Sequence, residues 1–388
     1  MMSEPKLALY VHWPFCRAKC PYCDFNSHVA SDIDHQRFAA AFRRELAFLA
    51  AQHGRGRKLT SLFFGGGTPS LMPPWLVAAI IDEADRLLGF ENGAEISAEA
   101  NPTSSEASVF RDFHSAGVNR LSLGVQALRA PELAFLGREH SVDEALTAIS
   151  MARETFAHVS MDLIYALKDQ SLEDWQRDLS TALSLGLDHM SLYQLTIEQG
   201  TGFYTRARRG EVLTAQDDIA ADMYLATEEI MTAAGLPAYE VSNYARPGAE
   251  CRHNLVYWHA HDWIGTGPGA HSRLTTDDGR LGLAMRRSPT AWLDAVAEQG
   301  HGLDMIHEDD RREAVAEFLM MGLRLVTGIS LQDFSHRFGS LAQSVNQTTL
   351  HQLLDQGLLT MTADHLAVTL DGRMVLNSIL AALLDTQD

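Results

Sequence analysis

Cysteine is scarce in this chain, with four residues in 388. That count excludes a disulfide-stapled scaffold, and the start, Met-Met-Ser-Glu-Pro-Lys, has neither the basic region nor the apolar segment of a secretory signal. A reducing, cytoplasmic setting is the expectation. Also missing is an uninterrupted apolar run long enough to span a bilayer, although a peripheral membrane contact stays open. Positive charge is in short supply: 31 Lys and Arg stand against 50 Asp and Glu, a formal net charge of −19. This argues against a dominant role on nucleic acid or anionic membranes and suits a basic partner. No internal repeat or low-complexity segment stands out. What remains is a globular composition, 46% hydrophobic, over a length that suits about two or three domains.

Three of the four cysteines, Cys16, Cys20 and Cys23, lie within eight residues, directly after an apolar run from Leu7 to Phe15 that reads as a buried strand. Thiolates at such offsets can converge on one soft metal centre, and sets of this kind suit iron and sulfur. Three is one short of the usual set, which leaves one iron of a cubane open to an outside ligand. A structural zinc site completed by His12 or His28 is the alternative, although such sites usually draw on two ligand pairs from separate turns. Cys251 lies far away in sequence.

From Leu7 to about Tyr244, short β-rich runs alternate with longer amphipathic stretches, the pattern of strand and helix units around a parallel sheet. The expected strands are Leu7–His12, Leu59–Phe64, Glu95–Glu99, Arg120–Val125, Val159–Tyr165, Met190–Thr196 and a shorter Tyr239–Ser242. Such a series predicts an α/β fold closed into an open or partial barrel, with chemistry at the carboxyl ends of the strands. Polar residues sit at matching depth: Glu99 and Gln126 at the ends of the third and fourth strands and Asp162 within the fifth. After the second strand comes Gly65-Gly66-Gly67-Thr68-Pro69, where missing side chains let the backbone approach a ligand. A Gly-rich, aromatic stretch from Tyr257 to His271 ends this half. After roughly Ser288 the chain reads as helices followed by a small hairpin, a winged-helix-like module, for which the acidic composition favours a packing or lid role over DNA binding. The expected division is 1–245, the barrel with its cluster loop; 246–288, a closing segment; and 289–388, the helical module.

The run Tyr10-x-His-x-Pro-Phe-Cys16-x3-Cys20-x-Tyr-Cys23 resembles the cluster loop of the radical S-adenosylmethionine (radical SAM) enzymes, and Gly-Gly-Gly-Thr-Pro resembles their methionine-binding loop. Tyr-Val-His-Trp-Pro-Phe-Cys, Phe-Phe-Gly-Gly-Gly-Thr-Pro-Ser, Leu-Ser-Leu-Gly-Val-Gln-Ala-Leu and Leu-Gly-Arg-Glu-His narrow the likeness to the oxygen-independent coproporphyrinogen oxidase branch, the HemN and HemW proteins. It covers nearly the whole chain. The resemblance implies a partial (β/α)6-type barrel, a [4Fe-4S] cluster on Cys16, Cys20 and Cys23, and SAM contacts from Tyr10, the backbone at Tyr22, Gly66, Gly67, Thr68, Glu99, Gln126, Arg138 and Asp162. One departure stands out: Ala166 and Lys168-Asp169 occupy positions where the family usually carries Gly and Pro-Gly.

The oxidases of this branch place a fourth cysteine two residues after the third, where this chain has Phe25, and carry an extension before the first strand, where this chain has nine residues ahead of Tyr10. Both differences point to the HemW subgroup, which is associated with haem binding and delivery. Cys251-Arg-His253-Asn254-Leu-Val-Tyr257-Trp258 contains the His-Asn-x-x-Tyr-Trp motif linked there to haem. Neutral imidazole is a common haem ligand and aromatic rings can cover a flat macrocycle. The resemblance favours His253 as axial ligand, while spacing alone leaves Cys251, His259, His261 and His271 as alternatives. The resemblance thus implies a haem chaperone, with haem, acceptor haem proteins and an electron donor as partners, a homodimer left open and no catalytic residue assigned. Coproporphyrinogen oxidation, a radical SAM methyltransferase or haem-modifying activity, and a SAM-independent cluster protein are the alternatives.

Overall fold

The computed structural model describes residues 5–54, 56–276 and 279–385. Met1–Glu4, part of the start read above for a leader, lies outside them. Side chains alternate in character along β1 (Leu7–Trp13), β2 (Leu59–Gly66), β3 (Phe90–Ala100), β4 (Arg120–Gln126), β5 (His158–Tyr165) and β6 (His189–Gln194). On β4, Leu121, Leu123 and Val125 belong to the main core, whereas Arg120 and Ser122 line the opposite side. A period of two gives each set its own face. The apolar faces pack beneath the outer helices, including α1 (His35–His53), α2 (Pro74–Leu87), α3 (Val142–Thr155), α4 (Leu172–Ser184) and α5 (Asp217–Ala233), with Phe38, Phe42, Leu76 and Ile80 in the same core. Capping boxes at Ser141/Glu144 and Ser171/Asp174 fix the starts of α3 and α4. The polar faces turn inward, where Ser97, Ser122, Ser160 and Ser191 line one small cavity. Strands β1 to β6 pair in parallel and in sequence order, so all six carboxyl ends share one mouth. This is the expected partial barrel.

The sheet extends on both sides. Beyond β6 lies β7 (Asn243–Ala245), antiparallel and a few residues later than the expected Tyr239–Ser242. The buried Glu240 carboxylate accepts from the Ser242 amide at 2.9 Å and from Asn243 Nδ2 at 2.5 Å, which bends the chain there. On the other side, β8 (Asp262–Thr266) runs parallel to β1, followed by antiparallel β9 (His271–Thr275), β10 (Arg280–Met285) and β11 (Leu303–Asp309). These strands were not read from the sequence. Just before β8, α6 (Arg252–Trp258) crosses the amino-terminal end of the barrel. Between β10 and β11, α7 (Pro289–Gln299) lays Trp292 against Phe38 and Phe42, with ring centroids 5.8 and 5.2 Å away. Glu45 of α1 accepts from Trp292 Nε1 at 2.9 Å and from the Gly302 amide at 2.7 Å. Residues 289–309 therefore pack with the barrel, not with the helical module to which the sequence pattern assigned them.

That module is built from α8 (Arg311–Gly322), β12 (Ile329–Ser330), α9 (Leu331–Phe338), α10 (Gln347–Asp355), β13 (Leu359–Met361), β14 (His365–Val368) and α11 (Leu376–Leu384). It has its own core, centred on Phe318, Phe334, Leu350, Leu366 and Leu383, and a three-stranded sheet, in the winged-helix-like arrangement expected. Arg324 pairs with Glu240 at 3.3 Å and lies 4.7 Å over Trp258, and Arg373 pairs with Glu228 at 3.1 Å. The module thus packs on the floor of the barrel, and it is no lid over the mouth. No helix among the described residues is long and apolar enough to cross a membrane.

Candidate functional site

At the mouth, the loop after β1 carries Cys16, Cys20 and Cys23, all half-buried and free of disulfides. The three line one cavity together with Gly66, Thr68, Glu99 and Arg138. Thr68 Oγ1 donates to Cys16 Sγ at 3.4 Å, and Arg138 Nη1 donates to Cys20 Sγ at 3.3 Å. A hydroxyl and a guanidinium aimed at sulfur favour thiolate. Burial, and more weakly the neighbouring thiols, push Cys16 and Cys23 the other way, a conflict that a bound soft cation resolves. A single zinc fits less well. Zinc–sulfur bonds of about 2.3 Å need tightly gathered sulfurs, yet among the described residues the group of three ligand atoms within 4.8 Å of one another is His307, Asp309 and Glu313, on the surface. His12 is also committed, with Nδ1 3.1 Å from Tyr10 Oη and Nε2 2.9 Å from the Asn26 carbonyl. The donor set therefore suits a cluster.

The glycine loop is shaped by what surrounds it. Gly66 has φ +110, and a Cβ there would come within 2.5 Å of the His12 ring; one on Gly67 would meet the Phe15 carbonyl oxygen at 2.6 Å. The Gly66 amide donates to Glu99 Oε2 at 3.2 Å. Burial, reinforced by the charge of Asp162, pushes the Glu99 carboxyl up to about 8. Burial also lifts Asp162 to about 6, against hydrogen bonds from Ser191 and from Ser122, whose Oγ lies 3.1 Å from Oδ1. Two carboxyls held partly protonated in one pocket suit a ligand that brings positive charge. Gln126 ends β4 at φ +71, a strained conformation that sets its side chain on the cavity wall. Tyr22 lines the same wall and packs its ring on Phe203 at 6.3 Å. Sequence reading missed Asn101, which donates to Thr68 Oγ1 at 3.2 Å and accepts from Arg138 at 2.6 Å. Its signal was a polar residue immediately after the third strand.

The second group of expected residues lies at the other end. His253 is 1% exposed. Its Nδ1 is 2.9 Å from Ser61 Oγ, its Nε2 is 2.7 Å from Tyr257 Oη, and Phe63 stacks on it at 5.0 Å. Burial lowers its pKa to about 3. Both ring nitrogens are taken. Asn254 faces the barrel interior beside Cys251, and Trp258 faces the helical module. Ser61 and Gly65 are four residues apart on β2, so the motif sits about 13 Å below the mouth. The structure thus brings together the residues expected at the cluster and SAM site and sets the haem-motif residues apart from them, with Tyr10, 6.4 Å from His253 between ring centroids, as the layer between.

Residues 10–182 match the family described as the radical SAM superfamily, and residues 309–375 match the HemN C-terminal domain. The chain is 38% identical to a protein of Escherichia coli strain K12 named heme chaperone HemW, over 99% of this chain and 100% of that one. The chain belongs to the HemW subgroup of the radical SAM, HemN-like family. A Bos taurus relative named radical S-adenosyl methionine domain-containing protein 1, mitochondrial, is 37% identical over 98% of this chain and 88% of its own. The solved structure of E. coli coproporphyrinogen III oxidase, HemN, superposes with a TM-score of 0.82 over 99% of this chain and 91% of that one, at 24% identity, which speaks for the fold. Membership of the HemW subgroup agrees with Phe25, 57% exposed at the edge of the cluster cavity.

Proposed function

We propose that this chain is a haem chaperone of reducing compartments such as the cytoplasm, which holds a [4Fe-4S] cluster and SAM at the barrel mouth, binds haem and passes it to acceptor haem proteins. The observation that carries this reading is the end-to-end similarity to a protein named heme chaperone HemW, with Phe25 standing where the oxidases place a fourth cysteine. Cys16, Cys20 and Cys23 would hold the cluster, which when bound supplies an open iron and a source of single electrons. Arg138 and Thr68 would steady two of its sulfurs. The Gly66–Gly67 backbone, with Glu99, Gln126 and Asp162, would hold SAM, whose sulfonium and ammonium groups match carboxylates that burial keeps poised between charged and neutral. No residue is assigned a bond-making role. Acceptor haem proteins, an electron donor and a second copy of the chain are the partners to test for.

Haemin titration of the anaerobically reconstituted protein tests the reading: a saturable Soret band is expected, and failure to bind haemin sinks it. In parallel, reduced protein given SAM and coproporphyrinogen III should release no decarboxylated porphyrin. Stoichiometric product would favour the oxidase instead.

A further inference from the structure

The histidines near the haem motif occupy three environments. His253 is sealed in the floor, while His259 and His261 lie outside the barrel beside Lys6. His271 is at the mouth, exposed, with no side-chain hydrogen bond among the described residues. Register sets it in a row: His271 pairs with Ala284, and Ala284 pairs with Met305, across β9, β10 and β11. Cross-strand partners share a face of the sheet. With strands about 4.8 Å apart, the imidazole and the thioether arise about 10 Å from each other, separated by one methyl group. On the neighbouring β8 the backbone of His271 packs directly on Gly265, where a Cβ would meet the His271 carbonyl oxygen at 2.1 Å, so no other residue fits there and the start of β9 is fixed in place.

The row faces a cavity of about 540 Å³ whose walls include Tyr10, Phe25 and Met285 and are mostly apolar. Its volume and mostly apolar walls suit a large ligand with apolar faces, such as a porphyrin. Phe25, Gly66 and Glu99 also line the cluster cavity, so the two spaces adjoin. Charge on the rim comes from Arg287, whose exposed guanidinium has no partner among the described residues, and from Asp304. Partial desolvation against the cavity wall, with Arg273 and Arg287 nearby, lowers the His271 pKa, which favours the neutral, ligating imidazole at physiological pH.

We propose that this cavity is the haem seat, with His271 as the protein ligand to the haem iron, Met305 and Phe25 flanking the macrocycle and Arg287 meeting a propionate. The proposal rests on the haem-chaperone reading and moves the ligand from the sequence motif to the mouth of the barrel. In that position the cargo lies against the SAM site, and the His-Asn-x-x-Tyr-Trp segment serves as the floor.

The test is haemin titration of full-length, cluster-reconstituted protein as wild type, His271→Ala, Arg287→Ala and His253→Gln, followed by the Soret band and by resonance Raman signals of axial ligation. His271→Ala should bind at least about tenfold more weakly, the low end of losses seen when a metal site is disturbed, with a displaced Soret band that added imidazole restores. Arg287→Ala should weaken binding without displacing the band. Wild-type affinity and spectrum in His271→Ala would overturn the assignment, as would loss of the band in His253→Gln with the cluster absorbance intact. Absence of haemin binding by the wild type would be a different result, overturning the chaperone reading itself.

Discussion

The two ends of the barrel are built from similar residues and behave oppositely. At the floor, Glu95 accepts from the Arg252 and His253 amides at 3.2 and 3.1 Å, from Cys251 Sγ at 3.4 Å and from Arg120 at 3.4 Å, while His253 has both nitrogens engaged. At the mouth, Cys16 and Cys23 carry conflicting influences, two carboxyls are lifted towards neutrality and the His271 ring has no hydrogen bond among the described residues. Buried polar groups are normally satisfied. Glu95 and His253 meet that rule from within, although Arg120 Nη2 and Trp258 Nε1 beside them have no partner among the described residues; the mouth differs in gathering thiols and raised carboxyls around an open cavity, where a ligand belongs. The backbone leans the same way: of the described non-glycine residues at positive φ, Gln126 ends β4 at the mouth, Ala166 and Asp169 follow β5 there, and Ala260 lies near the floor.

The largest expected effect is at the mouth. Cys20→Ala should abolish the iron–sulfur visible absorbance of reconstituted protein; retained absorbance would mean that the ligands are misassigned and the contrast is drawn in the wrong place. Next comes the floor. Glu95→Ala leaves several buried donors without an acceptor and should lower stability by about 3–5 kcal/mol in denaturant unfolding, the range for breaking buried charged networks. The folded fraction should still assemble the cluster. A stability close to wild type would break the comparison.

A smaller effect concerns pH. Folded Glu99 and Asp162 hold their protons to about 8 and about 6, whereas an unfolded carboxyl gives its proton up near 4. The folded state therefore binds more protons across that window, and ligand-free protein should lose stability as pH rises through it. Cationic SAM favours the ionised carboxylates, so its affinity should rise over the same interval, and binding should release protons. Calorimetry in buffers of different ionisation heat would show this; proton uptake on binding would contradict the assigned charge states.

Much of the mouth was legible because its chemistry is local. The cysteine spacing, the triple glycine and the polar residues on the third, fourth and fifth strands are short-range patterns, and period-two alternation orients them. The floor was less so. A histidine beside aromatic residues reads the same whether its nitrogens are free or bonded, and Ser61, which takes one of them, is 192 residues away. The strands from Asp262 to Asp309 escaped because they are short and broken by glycines and an intervening helix, so their identity depends on pairing with β1 rather than on their own periodicity. His271 and Met305 were invisible as a pair for the same reason: register, and not sequence distance, makes them neighbours.

The smallest expected effect tests whether strain at the mouth is stored or already relieved. Ala166 has φ +59 and is 1% exposed, a left-handed conformation that favours glycine. Left-handed backbone costs a non-glycine residue about 1–2 kcal/mol. Against that, glycine gives up about 0.4–1 kcal/mol through the freer unfolded chain, and removing a buried methyl costs about 0.8 kcal/mol. The terms nearly cancel, so Ala166→Gly should change stability by less than about 0.5 kcal/mol. Asp169, at φ +60 and exposed, buries no methyl, and aspartate tolerates this conformation better than alanine does, so Asp169→Gly should be equally quiet. A gain of about 2 kcal/mol from either change would exceed the local terms. It would mean that the loop after β5 is held under load by the rest of the mouth, as a site preorganised for its ligand would be.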